Sequence, residues 1–248
     1  MRDREVDIPT PDGTVNTFVT HPEEGGPHPV VLLLMDAPGR REELCDMARR
    51  LGTAGYYVML PNLYYRRARS FTPAPERRAE MLAHMNSLSN AMVCEDVRAL
   101  LRWADADPPA APGPAGCVGY CMSGPFAFAV AAALPERIAA AASFHGVRLC
   151  TEAVDSPHRQ AQRIRGELYF GCAETDEWAP REMIEALDAH LRGTGVRYRI
   201  EWYPDTVHGF VFPERPAAYH KAAAERHWER LHALFRRTLP GPVAGAGG

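Results

Sequence analysis

The stretch GCVGYCMSGPFAFAVAAA, residues 116–133, carries a short apolar run into two glycines and a cysteine and then becomes alanine-rich. An apolar strand that turns sharply into a helix accounts for this order, with Cys121 on the turn. A tight strand-to-helix turn needs small flanking residues because strand and helix approach closely there. Gly119 and Ser123 occupy those flanking places, and Gly124 follows. Centring the turn on Ser123 instead would put Cys121 and Pro125 in the small-residue places. Pro125 suits the first turn of a helix better than a glycine position. Cys121 is therefore the candidate nucleophile, and its place at a helix N-terminus favours the thiolate. Cys117, inside the strand, reads as a packing residue.

The same alternation extends outward along the chain. PVVLLLMD (29–36) is a continuous apolar run, as expected of a strand covered on both faces. Leu44, Met47, Ala48 and Leu51 follow at helical spacing, and the stripe ends near Gly52 to Gly55. YYVMLP (56–61), AGCVG (115–119), AAAASFHG (139–146), GELYFGC (166–172) and VRYRIEWYP (196–204) read as further strands. Helices are marked by Val93 to Ala104, by Met183 to Leu191 between Pro180 and Gly193, and by Tyr219 to Phe235. Strands alternating with helices imply an α/β fold with a mostly parallel, doubly covered sheet. Residues 62–90 are long, polar and interrupted by prolines, which suits a lid-like excursion. Residues 1–238 read as one domain, and 239–248 as a disordered tail with nothing to bury.

In such sheets ligands bind at the carboxyl ends of the strands. FGCAETDEWAP (170–180) offers Asp176 there, with Glu174 as a competitor, and PDTVHGF (204–210) offers His208. Cys121, Asp176 and His208 follow the nucleophile, acid, histidine order of an α/β-hydrolase triad.

Composition narrows the partners. Of the 248 residues 46% are apolar and 24% charged, with a net charge of -3. No extended basic face suggests nucleic acid; the densest cluster, Arg66, Arg67 and Arg69, suits small anions at most. The charged N-terminus and the lack of eighteen consecutive apolar residues disfavour export and membrane spanning, so a cytoplasmic protein is expected. Six scattered cysteines without C-x-x-C spacing fit reduced thiols.

Across residues 5–238 the chain resembles the dienelactone hydrolase family of α/β-hydrolases. The resemblance rests on GYCMSG (119–124), Asp176 to Pro180, HGF (208–210), LPNLYYR (60–66) and MDAPG (35–39). It implies hydrolysis of an ester or lactone through Cys121, His208 and Asp176, with a thioester intermediate and neither metal nor organic cofactor. An oxyanion hole from the backbone N–H groups of Ala37 and Met122 is expected beside it. Asp36 matches an acidic residue that the family uses to modulate the resting thiol, with a glutamate in its type member. An arginine that holds the substrate carboxylate in the family falls on Phe212 here, so that anchor is expected to be missing. Arg77 or Arg78 matches the family's other anchor, and His145 stands where the family has a tyrosine. A pocket of different polarity follows. Small-molecule ester or lactone substrates and a monomer or homodimer are expected. The competing readings are a ligand-binding protein without catalysis, and a cyclase, isomerase or acyl transferase using the same residues.

Overall fold

A computed structural model describes residues 1–241. Its centre is an eight-stranded sheet in the order β1-β2-β4-β3-β5-β6-β7-β8. The strands are β1 (Arg2–Thr10), β2 (Gly13–His21), β3 (Val30–Leu34), β4 (Tyr57–Pro61), β5 (Ala115–Tyr120), β6 (Ile138–Phe144), β7 (Glu167–Thr175) and β8 (Arg197–Val207). From β4 through β8 every neighbouring pair is parallel, while β1 with β2 and β2 with β4 are antiparallel. Every residue of β3, β4 and β5 is buried, which is why these segments read as unbroken apolar runs.

Among the described residues six α-helices connect and cover the strands: α1 (Glu42–Thr53), α2 (Arg78–Asn86), α3 (Asn90–Asp105), α4 (Gly124–Ala133), α5 (Arg181–Leu191) and α6 (Lys221–Thr238). Successive residues of β5 show the two faces. Gly116 abuts Phe235 of α6, where an added Cβ would lie 2.7 Å from the ring. The next residue, Cys117, points to the opposite side. On α4 nine of ten residues are buried, as its apolar circumference requires. Ser89 caps α3 by accepting a hydrogen bond from Met92 N–H at 3.2 Å.

Each strand read from the apolar runs is present, and each of the helical stripes became a helix. The β1–β2 hairpin is an addition. Its turn carries a Pro11-Asp12-Gly13 signal, but β1 is largely exposed and so lacks the apolar run that marks the inner strands. Within 62–90 the chain forms α2 after a 3₁₀ turn at Pro75–Arg77, so the excursion has a helix of its own. Leu239 corrects the proposed tail boundary: it is 5% exposed and its N–H donates to Phe235 O, joining the core behind α6. Residues 242–248 of that tail lie outside the described residues.

Candidate active site

Cys121 opens a 3₁₀ turn between β5 and α4, and its φ of 54° lies in the left-handed region that side chains rarely adopt. Such a backbone costs about 1–3 kcal/mol and persists where the surroundings enforce it. Here they do. A Cβ on Gly119 would sit 2.0 Å from Ser123 O, and one on Gly124 2.5 Å from the Cα of Gly146. The three segments approach so closely that only glycine fits at those places. The turn is held by Val147 N–H, which donates to Cys121 O at 3.2 Å.

Ser123 has other work. Its hydroxyl is fully buried, accepts from Tyr120 N–H at 2.9 Å and donates toward Leu34 O at 2.9 Å. It ties the elbow to β3 and is closed to substrate. Of the six cysteines, Cys45, Cys94, Cys117 and Cys172 are buried. Burial pushes the Cys45 and Cys94 thiols up to about 11 and Cys172 to about 12, with Cys117 also raised. Cys121 is the cysteine that lines the cavity holding His208.

His208 lies just past β8, and its Nδ1 is 2.8 Å from Asp176 Oδ2. Asp176, one residue past β7, is fixed by its other oxygen, which accepts from Trp178 N–H at 2.9 Å and Ala179 N–H at 3.1 Å. Glu174, the competing acid, instead accepts from Asp205 N–H at 2.7 Å and braces the end of β8 before His208. Burial disfavours the imidazolium, but hydrogen bonds to Asp176 and Cys121, together with their charges, outweigh it. His208 is thereby pushed up to about 9.

A cavity of about 200 Å³ joins Cys121, His208, Ala37, Arg78, Arg148 and Arg215, with Trp178 at its rim. Met122, next to Cys121, is buried, and its N–H belongs to the first turn, where helical donors have no internal acceptor. Tyr64 bridges Ala37 and Met122, donating to Ala37 O at 2.7 Å and lying 3.3 Å from Met122 Sδ. Its ring stacks on His84 of α2 at 4.9 Å, which fastens the excursion to the site. Tyr64 sits within the LPNLYYR stretch, but nothing in the local pattern pointed to this bridging position.

The remaining expected residues divide. Asp36 is fully buried and gives one oxygen to Arg41 at 2.5 Å and the other to Arg215. Phe212 is buried beneath those two arginines, 5.0 Å from the Arg41 guanidinium and 4.5 Å from that of Arg215. Position 212 supplies no cation, and Arg215, three residues on, reaches the cavity wall. Arg78 lines the cavity, whereas Arg77 turns to Glu80 at 2.7 Å and to Thr72 O. His145, just past β6 at φ 39°, packs 4.8 Å from His208 ring to ring. Neither of its ring nitrogens has a partner among the described residues. Burial, then the nearby His208 and Arg215, hold it well below the usual histidine range, so it is neutral.

Among the described residues no group of three or more His, Cys, Asp or Glu could hold a metal ion. No helix there is long and apolar enough to cross a membrane.

The dienelactone hydrolase family model matches residues 15–239. The chain belongs to that family. A carboxymethylenebutenolidase of Rhodococcus opacus is 26% identical over 215 residues, covering 84% of this chain and 81% of its own. A Synechocystis sp. protein, provisionally named a carboxymethylenebutenolidase, is 27% identical over 241 residues and covers 94% of this chain and 96% of itself. A Klebsiella pneumoniae structure, provisionally described as a dienelactone hydrolase, superposes with a TM-score of 0.84 at 24% identity. It covers 95% of this chain and 98% of that one, and supports the fold alone. The mostly parallel, doubly covered sheet expected from the strand alternation and the α/β-hydrolase fold implied by the resemblance are both observed, and the chain is a dienelactone hydrolase-like hydrolase.

Proposed function

We propose that this hydrolase cleaves a carboxylic ester or lactone through a Cys121 thioester, with His208 and Asp176 completing the triad. The observation that carries this reading is the strained Cys121 elbow facing the same cavity as His208, whose Nδ1 is bound to Asp176. The raised basicity of His208 suits it to take the Cys121 proton as the sulfur attacks. The Cys121 Sγ attacks the carbonyl carbon, and the carbonyl π electrons move to oxygen. That oxyanion is held by the N–H groups of Ala37 and Met122. Collapse of the adduct breaks the bond to the alcohol oxygen, which takes the proton from His208. A water then gives its proton to His208 and attacks the thioester. The acid leaves, and His208 returns the proton to Cys121.

His145 is the neutral wall of this arrangement: a second positive ring beside His208 would oppose its taking the Cys121 proton. Asp36 has both oxygens committed to arginines, so in this reading it acts on the site by holding Arg215 in the wall. Any contact with the resting thiol would cost it one of those pairs. Arg78 and Arg148 are the cavity cations left to receive a polar substituent of the substrate.

The test is turnover of p-nitrophenyl acetate combined with mass spectrometry of quenched enzyme. An acetyl adduct on Cys121 and loss of turnover in Cys121→Ala are expected. Full activity in that variant would sink the reading.

A further inference from the structure

A second cavity, about 440 Å³, adjoins the catalytic one and shares Met85, Val147 and Arg148 with it. Its own walls come from Met122 and Phe126 on the elbow side and from the 151–157 loop on the other. The catalytic cavity alone, at about 200 Å³, is smaller than the roughly 300–1,000 Å³ usual for ligand pockets, whereas this neighbour falls within that range. The shared wall is tied to the elbow. Val147 donates its N–H to Cys121 O, and Arg148 follows at φ 53°, exposed, with Asn86 Oδ1 at 3.3 Å.

We infer that this second cavity is the binding site for the acyl portion of the substrate, and that the enzyme takes esters or lactones of elongated acids. The inference rests on the hydrolase reading above. Direction follows from the two groups that flank the reacting carbonyl. The leaving oxygen must lie within reach of His208, which lines the catalytic cavity and not the second. Met122, whose N–H faces the oxyanion, lines the second cavity and not the first. A carbonyl set between them sends its alcohol toward His208 and Trp178 and its acyl chain past Met122, between Val147 and Met85. Asp155, an exposed residue, lines the second cavity and not the catalytic one.

The experiment compares kcat/KM for p-nitrophenyl acetate, butyrate, hexanoate and octanoate, and separately for acetates of ethyl, butyl and octyl alcohol. Each buried methylene of the acyl chain is expected to raise kcat/KM by about threefold, while the alcohol series stays within about twofold. Ala153→Trp, which fills the second cavity from its exposed rim, is expected to reduce the octanoate to acetate ratio by about tenfold or more; Thr151→Phe provides the same readout should the first variant not fold. A flat acyl series, a rise with alcohol length instead, or an unchanged ratio in the folded variant overturns the acyl assignment. These outcomes are separable from failure of the hydrolase reading, in which no ester of either series is turned over in a Cys121-dependent way.

Discussion

Two loops at the carboxyl edge of the sheet, after β3 and β5, each present an ionisable side chain at the floor of the site, and they end in opposite conditions. Asp36, after β3, is closed in by Arg41 and Arg215 and lies with its charge satisfied. Cys121, after β5, stands on a strained backbone and shares its cavity with His208, which is itself paired to Asp176. Burial alone does not make a group reactive. What distinguishes the two is whether the partner can give up or take a proton near neutral pH, which His208 can do and a guanidinium cannot.

The comparison is tested most strongly at Cys121. Cys121→Ala is expected to lower kcat by about 10⁴-fold or more, as loss of a triad nucleophile does, with the melting temperature nearly unchanged. Asp176→Asn should cost about 10³–10⁴-fold in kcat and alter the pH profile as well. His208 is pushed up to about 9, so wild-type activity should persist as pH rises and then fall near that value, as the imidazolium that protonates the leaving group is lost. Asp176 is among the groups that raise it, so the asparagine variant should lose activity at lower pH. This alkaline limb reports the loss of the His208 proton. An unmoved limb would contradict the assignment of Asp176.

Asp36→Asn is the converse experiment. Removing one charge of a buried cluster should cost about 3–5 kcal/mol in denaturant unfolding, with kcat within tenfold of wild type. A loss of activity as deep as that of Asp176→Asn at unchanged stability would break the comparison and give Asp36 a direct part in the chemistry. The smallest effect is expected at Cys117. Cys117→Ser buries a hydroxyl within β5 and should destabilise by about 1–3 kcal/mol, leaving kcat and the pH limb in place.

Much of this was legible before any coordinates. The inner strands announced themselves because burial on both faces forces unbroken apolar runs, and the elbow because close approach of strand and helix excludes side chains at Gly119 and Gly124. The β1–β2 hairpin was overlooked because an exposed edge strand has no such compositional demand. Arg215 was overlooked for a different reason: it reaches the cavity from a loop, three residues beyond the position that the family pattern singles out.

The sequence by itself determined the six inner strands, the elbow and the chain order of Cys121, Asp176 and His208, because local spacing and hydrophobic period are one-dimensional properties. Only the tertiary structure decided that Ser123 is tied down, that Glu174 braces the end of β8, that Asp36 is paired to two arginines and that a second cavity opens beyond Met122. Each of these depends on which distant groups meet. Hydrogen-bond satisfaction and cavity shape arise from contacts between residues separated by as many as 179 positions, as with Asp36 and Arg215, and no local pattern encodes them.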